Sequence, residues 1–161
     1  EVPDIGTLDT YLSTTITREE NDHAARQLEI ADLNLQLLSS TSTSILDLQT
    51  AANTVTSSQA EVLNTTSTLQ SSTASAYASA QQALGTAELR ELQLELQSEN
   101  TRRTKKQHSA GLLTDSQLAS SELDRVEAIH SLQAANWTAY FSWVRLHRAA
   151  GTDLLGIWAT R

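Results

Sequence analysis

The chain reads as an all-α protein of long antiparallel helical hairpins with coiled-coil-like packing, and three observations predict this. A single proline (Pro3) and five glycines (Gly6, Gly85, Gly111, Gly151, Gly156) punctuate 161 residues, so few residues interrupt a helix. Hydrophobic residues make up 39% of the chain but aromatics only 4%, and Leu and Ala carry the apolar content; that suits thin helix–helix seams better than one thick globular core. Leu and Ala also recur at helical spacing on both sides of Gly111. No break in composition divides the chain, which therefore reads as one helical unit over residues 1–161.

The first periodic run is Ala24, Leu28, Ala31, Leu35 and Leu38, whose alternating steps of four and three put all five on one helix face. A helix is expected over about residues 7–38. The Ser39–Ser44 run follows, with hydroxyls that can bond local backbone and compete with helix continuation. Ile45-Leu46-Asp47-Leu48 has partial period-2 alternation, so residues 39–66 are read either as a Ser/Thr-rich break with a short β-hairpin near 45–66 or as continuous helix. From about residue 67 the pattern is helical to 110, with Ala74, Ala76, Ala78, Ala80 and Ala83 giving way to Leu84, Leu89, Leu92 and Leu96. At 1.5 Å per residue this helix would be roughly 66 Å long. Gly111 can adopt the left-handed conformation that closes it, residues 111–114 make a tight turn, and Thr114 or Ser116 can cap a second helix over about 115–150. A turn so short places the two helices antiparallel. Gly151 closes the second helix, and Leu154 to Trp158 follows as an apolar tail. Among the aromatics clustered near that end, Phe141 is read as helix packing.

A formal net charge of −8 argues against nucleic acid as a partner, since phosphate binding draws on clustered Lys and Arg, and the one basic run here is Arg102-Arg103-Thr104-Lys105-Lys106. That run suits either an acidic partner or the favourable end of a helix dipole. With no cysteine there is no disulfide framework and no Cys-based zinc site, and the four histidines lack metal-ligand spacing among themselves. No nucleophile with a base, phosphate-binding glycine loop or carboxylate pair stands out, so neither catalytic residues nor a cofactor or metal site is expected. No stretch of about 18 apolar residues offers a transmembrane helix. Glu1-Val2-Pro3 fits either a mature terminus left by cleavage or an arbitrary start.

The spacing of Ala76-Tyr77, Gly111-Leu112-Leu113 and Leu146-His147-Arg148-Ala149-Ala150-Gly151 resembles the repeat unit of the TolC-like outer membrane factors. In that family a helix opens near an Ala-Tyr, a Gly and two apolar residues follow about 34 positions later, and a second Ala/Leu-rich helix ends in a Gly. Leu8-Asp9-Thr10-Tyr11-Leu12, leading into Ala31-Asp32-Leu33-Asn34-Leu35, is similar to the family's opening helix. The resemblance implies a periplasmic helical tunnel in the cell outer membrane that exports small molecules or proteins, assembled from copies of the chain as a homo-oligomeric ring. It implies a periplasmic adaptor (membrane fusion) protein and an inner-membrane pump as partners, met at the periplasmic tip by Gly111, Leu112 and Leu113, with Thr114, Asp115, Gln117 and Leu118 beside them.

The sequence departs from the family pattern in three places. It is long enough for one repeat where members usually carry two, so a twelve-helix tunnel would take six copies, or the chain is a fragment. The acidic tip position six residues past the glycine is Gln117, with Asp115 nearby, and the Arg and aromatic that precede the glycine are replaced by Gln107 and His108. A competing reading is a periplasmic adaptor or a structural coiled-coil hairpin without channel activity.

Overall fold

The computed structural model describes residues 5–16, 18–41 and 44–152. These form four helices: α1 (Leu8–Ile16), α2 (Glu19–Ser40), α3 (Ile45–Ser109) and α4 (Asp115–Ala150). The described residues contain no strand, and the fold is all-α. Their contacts fall into two compact units, one of residues 6–76 and 146–161, the other holding residues 77–145. The apolar tail from Leu154 to Trp158 lies outside the described residues.

The structure changes the expected element boundaries in two places. Residues 45–66 form neither a hairpin nor a break; they are the first third of α3. Ser44 starts this helix by accepting the Asp47 amide at its side-chain oxygen (3.2 Å) and the Leu48 amide at its carbonyl (3.2 Å). The threonine hydroxyls within this stretch are absorbed by the helix. Thr50, Thr54 and Thr56 each donate to the carbonyl four residues back, at 2.9, 3.0 and 3.0 Å. At the end of α2 the Ser39, Ser40 and Thr41 hydroxyls bond its last carbonyls.

The second change splits the helix expected over 7–38. Arg18 is extended (φ −71°, ψ 150°) and separates α1 from α2. Its guanidinium donates to the Ala149 carbonyl at 2.7 Å, one of the orphan carbonyls in the last turn of α4, and is held from the other side by Glu20 at 2.6 Å. Asn21, buried, donates to the Ile16 carbonyl at the end of α1 and accepts from the Thr66 hydroxyl of α3. The break therefore satisfies helix ends that would otherwise be unpaired.

Within this unit α2 buries or half-buries the whole run Ala24, Leu28, Ala31, Leu35 and Leu38, as its spacing predicts. At the other end Leu146 and Ala150 of α4 are fully buried, as are Thr15 and Thr73, whose hydroxyls lie 3.1 Å apart. Thr73 also donates to the Ala149 carbonyl at 3.1 Å. Gly151 closes α4 with positive φ (75°), its amide bonding the Arg148 carbonyl and the Thr152 amide bonding that of His147. A Cβ on Gly151 would lie 2.7 Å from Cγ of Arg18, so both the backbone and the Arg18 clasp require glycine here.

His147 joins the same junction. Its Nδ1 is 2.7 Å from the Thr152 hydroxyl, its Nε2 is 3.3 Å from the Tyr11 hydroxyl, and the two rings meet edge to face at 5.3 Å. Burial pushes its pKa below the ordinary 6.5. A histidine depressed in the folded state takes up its proton more readily when unfolded, so its contribution is complete above the unfolded pKa and is lost as pH falls through the folded one. Thermal melts from about pH 7.5 down to about pH 5 should therefore show a falling midpoint. His147→Asn should flatten that fall; an unchanged pH profile in the variant would remove His147 as its cause.

Candidate docking site at the hairpin tip

The α3–α4 hairpin ends in the turn singled out by its Gly-Leu-Leu sequence, and its hydrogen bonds explain why the chain reverses there. Gly111 takes φ 73°, which a glycine adopts without steric cost. The Leu112 amide reaches back to the Gln107 carbonyl and the Gly111 amide to that of His108, both at 2.9 Å, which closes α3 with the same pattern as Gly151 closes α4. Three residues after Gly111, Thr114 caps α4. Its hydroxyl accepts the Gln117 amide at 3.3 Å while the Gln117 side-chain oxygen accepts the Thr114 amide at 2.9 Å. Gln117 is thus one half of a reciprocal capping box.

The residues expected at the tip divide accordingly. Gly111, Thr114 and Gln117 make the turn; Leu113 and Leu118 are half-buried. Leu112, 73% exposed, and Asp115 are the side chains the turn presents outward. Asp115 has a partner that its sequence spacing did not reveal: His108 Nε2 lies 2.7 Å from its Oδ1, bridging the end of α3 and the start of α4. The pair is an ion pair when the imidazole is protonated and a hydrogen bond when it is neutral with its proton on Nε2. The Thr-x-x-Gln capping signal, by contrast, was available in the sequence as a hydroxyl and an amide three residues apart.

Behind the turn, two carboxylates offset half the charge of the four-cation basic run. Glu99 accepts from both Arg102 (2.7 Å) and Arg103 (3.1 Å), and those hydrogen bonds hold its carboxyl down at about 2. Lys105 reaches Glu122 of α4 at 2.9 Å. All three pairs are exposed and contribute little stability, but they leave less positive charge for an outside partner. The nearest buried link to the tip is Thr101, 3% exposed, whose hydroxyl lies 3.0 Å from the Ser121 carbonyl and accepts from the Ser121 hydroxyl at 3.1 Å. Farther along, Ala83 and Ala87 pack on Ala135 and Ala139, with Leu84 against them. Leu89, Leu92, Leu96, Leu123, Val126, Trp137 and Phe141 stay outside that seam, and Phe141, expected to pack into it, is instead 56% exposed and stacked on Trp137.

Comparison of the chain with protein-family profiles, with characterised proteins and with solved structures found no match. The tip can therefore be read only from its own chemistry. It is a rigid, capped reversal that exposes one leucine and one carboxylate and brings together no set of groups that would activate a substrate. Such a surface suits protein docking through an apolar knob with a charged neighbour.

If the capping box holds α4 as drawn, Thr114→Ala should cost about 1 kcal/mol in chemical denaturation, and Gly111→Ala about 1–2 kcal/mol for its left-handed backbone. Because the two capping bonds are reciprocal, Thr114→Ala and Gln117→Ala combined should cost less than the sum of the singles. Strict additivity would mean that the box does not form.

Proposed function

We propose that the chain is a subunit of a TolC-like outer-membrane efflux channel. Copies would stand side by side as the wall of a periplasmic tunnel, with the Gly111-Leu112-Leu113 tip docking on a periplasmic adaptor and, through it, serving an inner-membrane pump. The task is conduction, in which no bond is made or broken. The wall needs shape, a polar lining and tight lateral packing, and no catalytic group.

The observation that carries this reading is a second apolar stripe on each helix of the hairpin. The packed face of α3 runs through Ala80, Ala83, Ala87 and Thr101, while Leu89, Leu92 and Leu96 recur at steps of three and four on the opposite face and are 54–62% exposed. On α4 the packed Ala135 and Ala139 are opposed by Leu123, Val126 and Trp137. Each half-exposed Leu leaves apolar surface in water at about 25 cal/mol per Å². A hairpin with one such stripe on each outer edge is suited to a neighbour on both sides, and head-to-tail contacts of that kind form rings when the rotation between copies closes. The exposed Leu112 and the rigid capped reversal at the tip support the docking role.

A second reading, a periplasmic adaptor or structural coiled-coil hairpin without channel activity, draws its support from residues 45–66. They are helical, and so supply no strand for a membrane barrel in place of the short β-hairpin expected near 45–66. Sedimentation of the full chain in mild detergent separates the readings. A channel subunit should form one closed species of fixed stoichiometry whose reconstitution gives ion conductance, whereas a species that stays monomeric at high concentration contradicts the channel.

A further inference from the structure

We propose that Gly85 of α3 is the receiving position for the exposed aromatic cluster of α4 from a second copy of this chain, with Trp137 of one copy seated over Gly85 of the next. The inference rests on the ring-forming reading above and specifies where, and in what register, two copies meet.

Gly85 has no explanation among the described residues. It lies in the middle of a 65-residue helix, where glycine costs about 1 kcal/mol relative to alanine. Its φ is not positive, it is exposed, and a Cβ built on it would meet nothing within 4 Å. Neither backbone geometry nor packing against the described residues calls for the missing side chain. A bare backbone on an outer face permits close approach from outside.

A large group of matching chemistry lies at the same level on the opposite outer edge of the hairpin. Trp137, Tyr140 and Phe141 are 62%, 44% and 56% exposed, and they are preordered by contact with one another: Trp137 stacks on Phe141 at 6.0 Å and meets Tyr140 edge-on at 6.2 Å. Interleaved rings of this kind lose little further freedom on binding. The level follows from the packed seam, where Thr101 meets Ser121 and Ala83 and Ala87 meet Ala135 and Ala139. Antiparallel register then sets Gly85 across from Trp137 and Leu96 across from Val126. A neighbour placed alongside at the same height would bring its Trp137 edge to this copy's Gly85 edge, and its Val126 to this copy's Leu96.

Charge and area select a second copy as the occupant. Residues 77–87 and 128–144 contain no Lys, Arg, Asp or Glu, with His130 the one titratable histidine among them, whereas residues 88–127 are densely charged. At the level of Gly85 and Trp137 identical chains can meet without facing like charge, whereas Leu89, Leu92, Leu96, Leu123 and Val126 lie within the charged stretch. Eight half-exposed apolar side chains line the two edges: Leu89, Leu92 and Leu96 on α3, with Leu123, Val126 and the aromatic three on α4. At on the order of 100 Å² apiece they amount to roughly 800 Å², and the polar side chains between them bring the total to the ~1,000 Å² that a specific contact requires.

The test uses the full chain, which has no cysteine of its own. Gly85→Cys and Phe141→Cys are made separately, mixed and oxidised under mild conditions; the mixture is expected to give a mixed 85–141 dimer well above the homodimer yield of either variant alone. Gly85→Trp is then expected to weaken self-association by about tenfold or more with unchanged helicity, because its side chain enters open space in the isolated chain. Gly85→Ala should associate less weakly than Gly85→Trp. Absence of the mixed crosslink together with native association of Gly85→Trp overturns the inference, and leaves the channel reading standing if a conducting ring still forms. A mixed crosslink in an assembly that does not conduct supports the contact and removes the channel.

Discussion

Close approach of α3 and α4 through small side chains is the constraint on which the rest of the hairpin depends. Ala80, Ala83 and Ala87 on one helix and Ala135 and Ala139 on the other bring the backbones together without a thick layer of leucine between them. Thr101 extends the seam toward the tip as a buried hydroxyl fully engaged by Ser121 and Gln97. A seam this thin buries few methyl groups. Each contributes about 0.8 kcal/mol, against roughly 1–2 kcal/mol of backbone entropy for each residue ordered.

That imbalance gives the outer faces their meaning. A seam of alanines leaves the larger apolar side chains, Leu89, Leu92, Leu96, Trp137 and Phe141, on faces that no part of their own unit covers. The same division recurs on α2 in the other unit, where Ala24 and Ala31 are buried and Ile30, Leu33 and Leu37, at helical spacing, are 51–63% exposed. Helices built this way gain stability from each further helix laid alongside. Their termini, in contrast, are satisfied locally: glycine closures at Gly111 and Gly151, caps at Ser44 and Thr114, and the Arg18 guanidinium on the Ala149 carbonyl. Local satisfaction of the ends with unsatisfied flanks is the division of labour expected of a wall element that is joined sideways and docked at one tip.

Much of this was legible in the residues. The Ala24–Leu38 periodicity, the helix over 115–150 and the reversal at Gly111 follow from spacing and from the special backbone of glycine, which are local properties. The Ser/Thr run does end a helix, α2 closing at Ser40 and α3 starting at Ile45, while of the two readings of 45–66 the hairpin fails and the continuous helix holds. A threonine hydroxyl can satisfy itself on the carbonyl four residues back, and whether it does so depends on the helix already being there, supported by buried Val55 and half-buried Ala51. The break at Arg18 was illegible for a different reason. Its partner, the Ala149 carbonyl, is 131 positions away in sequence. At the tip, the Gly-Leu-Leu reversal could be read directly, but the capping role of Gln117 was overlooked and the His108–Asp115 contact depends on how tightly the turn closes.

The central claim is that this chain's packed seams are completed by other copies of itself. The most direct measurement is the thermal unfolding midpoint of the full chain followed across about a hundredfold range of protein concentration. Burial of the outer stripes between copies couples folding to association, so the midpoint should climb steadily with concentration. A midpoint that does not move, in a chain that remains monomeric throughout, would contradict it.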